Sequence, residues 1–196
     1  KEYMSKALKY KKFITKEEIN TFELDKYSGE IVLVDTIDAL VKACKEIAEC
    51  NLIGIDTETK PSFKKGQMNQ VALLQIATDK KAYIIRLKMV EMSEELAAIF
   101  SNKDIIKVGI AVRDDLKDLK KNKSFNEQSV IDLNVLAPQL GFESIGAKKL
   151  SALVLGIRIS KRQQVSNWEA VDLSQAQIDY AATDAWICRE IYLKLV

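Results

Sequence analysis

Leu52-Ile53-Gly54-Ile55-Asp56-Thr57-Glu58 is the stretch on which the reading of this chain turns. An apolar run ends in two carboxylates separated by one residue. On a strand, side chains alternate between faces, so Asp56 and Glu58 project from the same one. Two like charges held side by side repel each other, and a bound cation is the natural remedy. Acid-x-acid is also what a plain solvated strand end looks like, so the pattern needs company.

Working outward, the apolar runs at 31–34, 71–77, 82–87 and 105–109 read as further strands, with Asp79-Lys80-Lys81 as the turn of a hairpin. Residues 130–133 read as a short strand that runs into a helix through Leu140. Residues 36–50 carry Ile37, Leu40, Val41, Cys44 and Ile47 at helical spacing behind Asp35 or Thr36 as a cap. Helices are also expected at 93–100, 112–121 and 147–155, and a long one from Leu173 or Ser174 onward. Successive strands followed by alternating helices and strands predict an α/β layered domain with a mixed sheet. Residues 1–30 lack a clean period and read as an N-terminal extension to a domain spanning 31–196.

Composition narrows the chemistry. Of 196 residues, 47% are apolar and 30% charged, which is globular composition. There is no histidine, so Ser-His-Asp and Cys-His catalysis and His-ligated zinc are excluded. Three cysteines, an odd number, predict reduced thiols and a cytoplasmic protein. No apolar run approaches the ~18 residues that cross a bilayer, and residues 1–16 lack the apolar middle of a signal peptide. Net charge is +2, yet residues 1–16 hold six lysines against Glu2 alone. Residues 144–168 hold Lys148, Lys149, Arg158, Lys161 and Arg162 with no acid. Such stretches suit local contact with phosphates, or simply a solvated surface.

Two more acidic features accompany the first. In Tyr180-Ala-Ala-Thr-Asp184-Ala, Tyr180 and Asp184 are four apart and share a helix face, and small neighbours allow close packing on a sheet. An aspartate in so apolar a turn calls for a partner. In Lys107-Val-Gly109-Ile-Ala-Val-Arg-Asp114-Asp115-Leu116 a strand ends at glycine and a helix opens on acids. Acids in a first turn also complement the helix dipole, and the pattern does not choose between Asp114 and Asp115.

In order and spacing these segments resemble the three motifs of the DEDD exonucleases, in the branch with ribonuclease D and the Werner-syndrome exonuclease domain. Val71-Ala-Leu-Leu-Gln75-Ile and Ser166-Asn167-Trp168-Glu169 add to the match, which runs from Leu52 to Leu193. The resemblance implies a ribonuclease H-like fold, with a central mixed sheet of about five strands flanked by helices. It selects Asp115 through the spacing from Gly109, and Tyr180 marks the tyrosine subtype. It implies a 3′-to-5′ exonuclease with two divalent cations, Mg²⁺ or Mn²⁺, on Asp56, Glu58, Asp115 and Asp184. Tyr180 would orient the attacking water. The substrate would be single-stranded or 3′-recessed DNA or RNA. Lys148, Lys149, Lys161 and Arg162 are candidate backbone contacts, and Trp168 is either a base-stacking platform or a structural wedge. Gln75 reads as a buried hydrogen-bonder, and Gln164 stands where several relatives carry arginine. The alternatives are a ribonuclease H-like endonuclease and a catalytically inactive nucleic-acid-binding module.

Overall fold

The structure, a computed structural model, describes residues 2–196. Lys1, one of the six N-terminal lysines, lies outside the described residues. A single sheet has the strand order β1-β4-β3-β2-β5-β6. The strands are β1 (Glu30–Val34), β2 (Leu52–Thr59), β3 (Val71–Ala77), β4 (Lys81–Arg86), β5 (Ile106–Gly109) and β6 (Val130–Asp132). β2–β3 and β3–β4 are antiparallel, while β1–β4, β2–β5 and β5–β6 are parallel, so the sheet is mixed. All six strand runs read from the sequence enter the sheet, one more than the five or so that the resemblance implied, and three-residue β6 registers on β5 through Lys107, Val108 and Gly109.

The helices are α1 (Glu2–Ala7), α2 (Lys16–Ile19), α3 (Ile37–Ala48), α4 (Leu87–Val90), α5 (Glu94–Ser101), α6 (Val112–Lys120), α7 (Leu133–Gln139), α8 (Ala147–Leu150) and α9 (Gln175–Leu195). The helix expected over 147–155 is α8 continued by a π-helical turn, Ser151–Leu155. Caps fall where the sequence offers them. Thr36 accepts from Ala39 N and Ser93 from Leu96 N, while Ser174 and Gln177 form a reciprocal capping box at the start of α9.

β3 is buried along its whole length because both of its faces are covered. On one side Leu96, Phe100 and Ile47 pack with Leu74, Ile76 and Ile85. On the other, α9 crosses β2, β3, β4 and β5 and buries Ile187, Cys188 and Ile191. The two layers fix the central strands so that the C-terminal end of β2 opens at the sheet's rim. The N-terminal residues are not loose. Ile14 and Ile19 pack on Ala152, Leu24 pairs with Arg158, and Tyr27 N donates to Thr183 Oγ1 on α9 at 3.0 Å.

Candidate active site

α9 can reach β2 only because of one residue. A Cβ on Gly54 would lie 2.0 Å from the Ala185 carbonyl oxygen and 3.0 Å from Arg189 N. With Gly54 bare, the helix settles against the strand and carries Asp184 to the face on which Asp56 and Glu58 stand. One carboxylate oxygen from each of Asp56, Glu58 and Asp184 then lies within 4.8 Å of the others. A register shift between Glu58 and Thr59 ends the regular ladder with β3 just past the second acid.

Asp115 arrives from the other direction. β5 ends at Gly109, where a Cβ would meet Val112 Cγ1 at 2.2 Å, and Ala111 adopts a left-handed conformation before α6 begins. For a residue with a Cβ that conformation costs about 1–2 kcal/mol. The Asp132 carboxylate holds the turn, accepting from Ala111 N at 2.9 Å and Val112 N at 3.2 Å. The same carboxylate accepts from Asn134 N and caps α7. Asp115, in the first turn of α6, accepts a 2.6 Å hydrogen bond from Thr57 Oγ1, on the strand residue between the two acids. Asp115 therefore joins the site through Thr57 and stands outside the compact group of three.

The remaining groups pack around these acids. Tyr180 lines the same cavity as Asp184, one turn along α9. Lys161 Nζ sits 3.4 Å from both Asp184 oxygens and 5.4 Å from the Tyr180 ring centroid. Gln75, fully buried, donates to Glu58 Oε1 at 3.5 Å. A cavity of about 190 Å³ is lined by Asp56, Glu58, Lys161, Tyr180 and Asp184, with Gln164 at its edge. Ala147, just before Lys148 and Lys149, also lines it, whereas Arg162 lines a neighbouring cavity on the far side of Tyr180. Trp168 is 1% exposed and packs on Tyr180 with ring centroids 5.7 Å apart. Its indole has no face free for a base, which corrects its inclusion among nucleic-acid contacts: it is a wedge beneath the tyrosine.

Charge is poorly compensated here. Burial, then the charge of Asp184, holds Asp56 well above the ordinary carboxylate range. Burial and Asp184 push Glu58 up to about 9 against the opposing pull of Lys161. Burial raises Asp115 to about 6, partly offset by the Thr57 hydrogen bond. Burial raises Asp184 too, and Lys161 pulls it back. Carboxylate oxygens converging with one ammonium among them suit a hard divalent cation, so the donor set fits a metal.

These shifts set a pH dependence. A carboxyl whose folded pKa is raised favours folding below its unfolded value and stops doing so as pH climbs through the folded one. In chelator the melting temperature is therefore expected to fall between about pH 4 and pH 9, with the Asp115 share spent near 6 and that of Glu58 near 9. Differential scanning fluorimetry in EDTA checks this, and a rise between pH 5 and 8 would contradict it. Divalent metal should restore more stability at the alkaline end, since the carboxylates are ionised there and no proton competes for their oxygens.

A family profile described as 3′-5′ exonuclease matches residues 31–196. The chain belongs to that family. Among solved structures, the Nibbler EXO domain of Aedes aegypti matches this exonuclease domain with a TM-score of 0.77 at 26% identity. The match covers 87% of this chain and 90% of that one. Ribonuclease D of Acidiphilium cryptum is 29% identical over 165 residues, covering 83% of this chain and 42% of the relative. The bifunctional 3′-5′ exonuclease/ATP-dependent helicase WRN of Mus musculus is 28% identical over 155 residues, covering 76% and 11%. The chain spans less than half the length of these and several other curated relatives. The resemblance read from the motifs is thus borne out, and the mixed sheet flanked by helices is the ribonuclease H-like fold of these exonuclease domains. Among the described residues no helix is long and apolar enough to cross a membrane.

Three residues that matter to this exonuclease site, Gly54, Thr57 and Asp132, carry no role in the sequence alone, and a fourth, Gln75, lacks its partner there. Gly54 and Thr57 lie inside the first motif, but glycine's close approach and threonine's reach to α6 exist only once the layers are stacked. Gln75 was placed as a buried hydrogen-bonder without its partner, Glu58. Asp132 offered a signal, an acid directly before an apolar helix start, which is an N-cap pattern.

Proposed function

We propose that this chain removes nucleoside 5′-monophosphates stepwise from the 3′ ends of DNA or RNA, single-stranded or 3′-recessed, with two divalent cations, Mg²⁺ or Mn²⁺. The observation that carries the reading is the convergence of Asp56, Glu58 and Asp184 beside a tyrosine hydroxyl in one cleft. Asp56, Glu58 and Asp184 would hold the cations, with Asp115 reaching the far side of the cluster. When bound, the cations polarise the phosphoryl oxygens and lower the pKa of water.

The protein's own groups do the rest. Burial and the charge of Asp184 hold the Tyr180 phenol above its ordinary pKa, so it stays a hydroxyl and orients water rather than deprotonating it. Trp168 and the Lys161 ammonium both pack on the tyrosine ring. Lys161 offsets the acids' negative charge and is the cation best placed for an incoming phosphate, while Lys148, Lys149 and Arg162 supply further backbone contacts. Gln75 holds Glu58, and Thr57 holds Asp115, in fixed rotamers. Residues 31–196 form the exonuclease unit, and residues 2–30 run along it as a strap.

Matched DNA and RNA strands labelled at either end test this directly. With Mg²⁺ or Mn²⁺, a 5′ label should yield a descending ladder and a 3′ label should be released at once as a mononucleotide, and EDTA should abolish both. Release that persists in chelator, shortening from the 5′ end, or cutting of a circular strand would overturn the reading.

A further inference from the structure

The loop between β2 and β3 starts two residues after Glu58, at the mouth of the cleft, and reads Lys60-Pro-Ser-Phe63-Lys64-Lys65-Gly-Gln-Met68-Asn69-Gln70. It contains three lysines and no acid. No ion pair is made by any of the three among the described residues. Phe63 is 88% exposed and Met68 79%, with nothing packed over them. The loop is nonetheless shaped. Asn69 Nδ2 donates to the Lys60 carbonyl at 2.8 Å and the Pro61 carbonyl at 3.4 Å, pinning the base, and Gln67 N donates to the Lys64 carbonyl in a turn at the tip.

A phenylalanine held out into water on a pinned loop needs a partner, and its neighbours state the partner's charge. We infer that residues 60–69 form a single-strand clamp, in which Phe63 stacks on a base of the nucleic acid while Lys60, Lys64 and Lys65 hold the flanking phosphates. The inference rests on the exonuclease reading and adds a second contact point to it, upstream of the terminal nucleotide. Phe63 is five residues from Glu58, which limits the separation to about 18 Å. A strand whose 3′ end lies in the cleft therefore meets the loop within a few nucleotides. Every base has a π-face, so the contact is indifferent to sequence and to the sugar. A protein partner is disfavoured because three unpaired lysines surround a single apolar ring, the pattern of a surface meeting a polyanion.

Binding of a fluorescein-labelled single strand, as DNA and as RNA, is measured by anisotropy in EDTA, where no hydrolysis intervenes. Phe63→Ala is expected to weaken binding about 10-fold on both strands. The double variant Lys64→Ala/Lys65→Ala should lower the slope of log affinity against log salt by about 1.4, at ~0.7 per phosphate contact. Phe63→Trp should retain affinity, and its fluorescence should be quenched when the strand binds. The loop is exposed, so none of these changes threatens the fold. Wild-type affinity and salt slope in the first two variants, with no quenching in the third, would overturn the clamp. Nucleotide release by the wild type on the same strands is scored separately. A clamp that binds on a protein that releases nothing would sink the exonuclease reading and leave this one standing, and the converse result would do the reverse.

Discussion

Asp56→Asn is expected to lose nucleotide release by on the order of 10³-fold or more, while the metal-free protein becomes more stable. The two effects share a cause. Asp56 shares its strand face with Glu58, and its charge is raised in energy first by burial and then by Asp184, Glu58 and Asp115. Removing one charge relieves that repulsion, so melting in EDTA at pH 8 should rise by a few degrees, about 2–4 °C for each kcal/mol in a protein of this size. Removing one oxygen donor from the cation site removes what holds the reacting centre, and 10³-fold corresponds to about 4 kcal/mol of barrier. A residue kept only for packing would show the opposite pairing, with lower stability and retained activity. Calorimetry of Mn²⁺ binding to the variant separates lost metal from misplaced metal. Near-normal release by Asp56→Asn would end the mechanism.

The second large effect is expected at a residue with no side chain. Gly54→Ala puts a methyl 2.0 Å from the Ala185 carbonyl oxygen, a backbone atom that cannot rotate away. α9 must move off β2, at about 1–3 kcal/mol for overpacking. The movement acts directly on Asp184, one residue before Ala185, and a shift of roughly 1 Å in a reacting group costs about 10²-fold. The variant should therefore stay folded, melt lower in EDTA, bind Mn²⁺ more weakly and release nucleotides about 10²-fold more slowly. Asp56→Asn and Gly54→Ala thus lose activity with opposite changes in stability, which is how a ligand differs from the spacing that positions it. Full activity in Gly54→Ala would mean that the contact between β2 and α9 does not set the position of Asp184.

Much of this was legible in the chain itself. Period-two alternation on an apolar strand is enough to place Asp56 and Glu58 on one face, and i,i+4 spacing on a helix is enough to pair Tyr180 with Asp184, because both are local geometry. Hydroxyl caps at Thr36, Ser93 and Ser174 mark helix starts for the same reason. The absence of histidine removed whole classes of chemistry without reference to any fold. What local geometry cannot give is distance across layers. That Asp184 stands with Asp56 and Glu58 depends on Gly54 letting α9 onto β2, and that Asp115 joins them depends on Thr57 and on Asp132 bracing a left-handed turn. From the sequence Trp168 could either stack or wedge, and its burial against Tyr180 selects the wedge. Lys161 looked like a phosphate contact, yet among the described residues its ammonium lies on Asp184, since a buried acid attracts whichever cation the fold brings within reach. The sequence by itself determined the family and which groups are candidates to carry the chemistry. Only the stacking of helix on sheet decided which of them meet, because charge repulsion and close packing act through space between residues far apart in the chain.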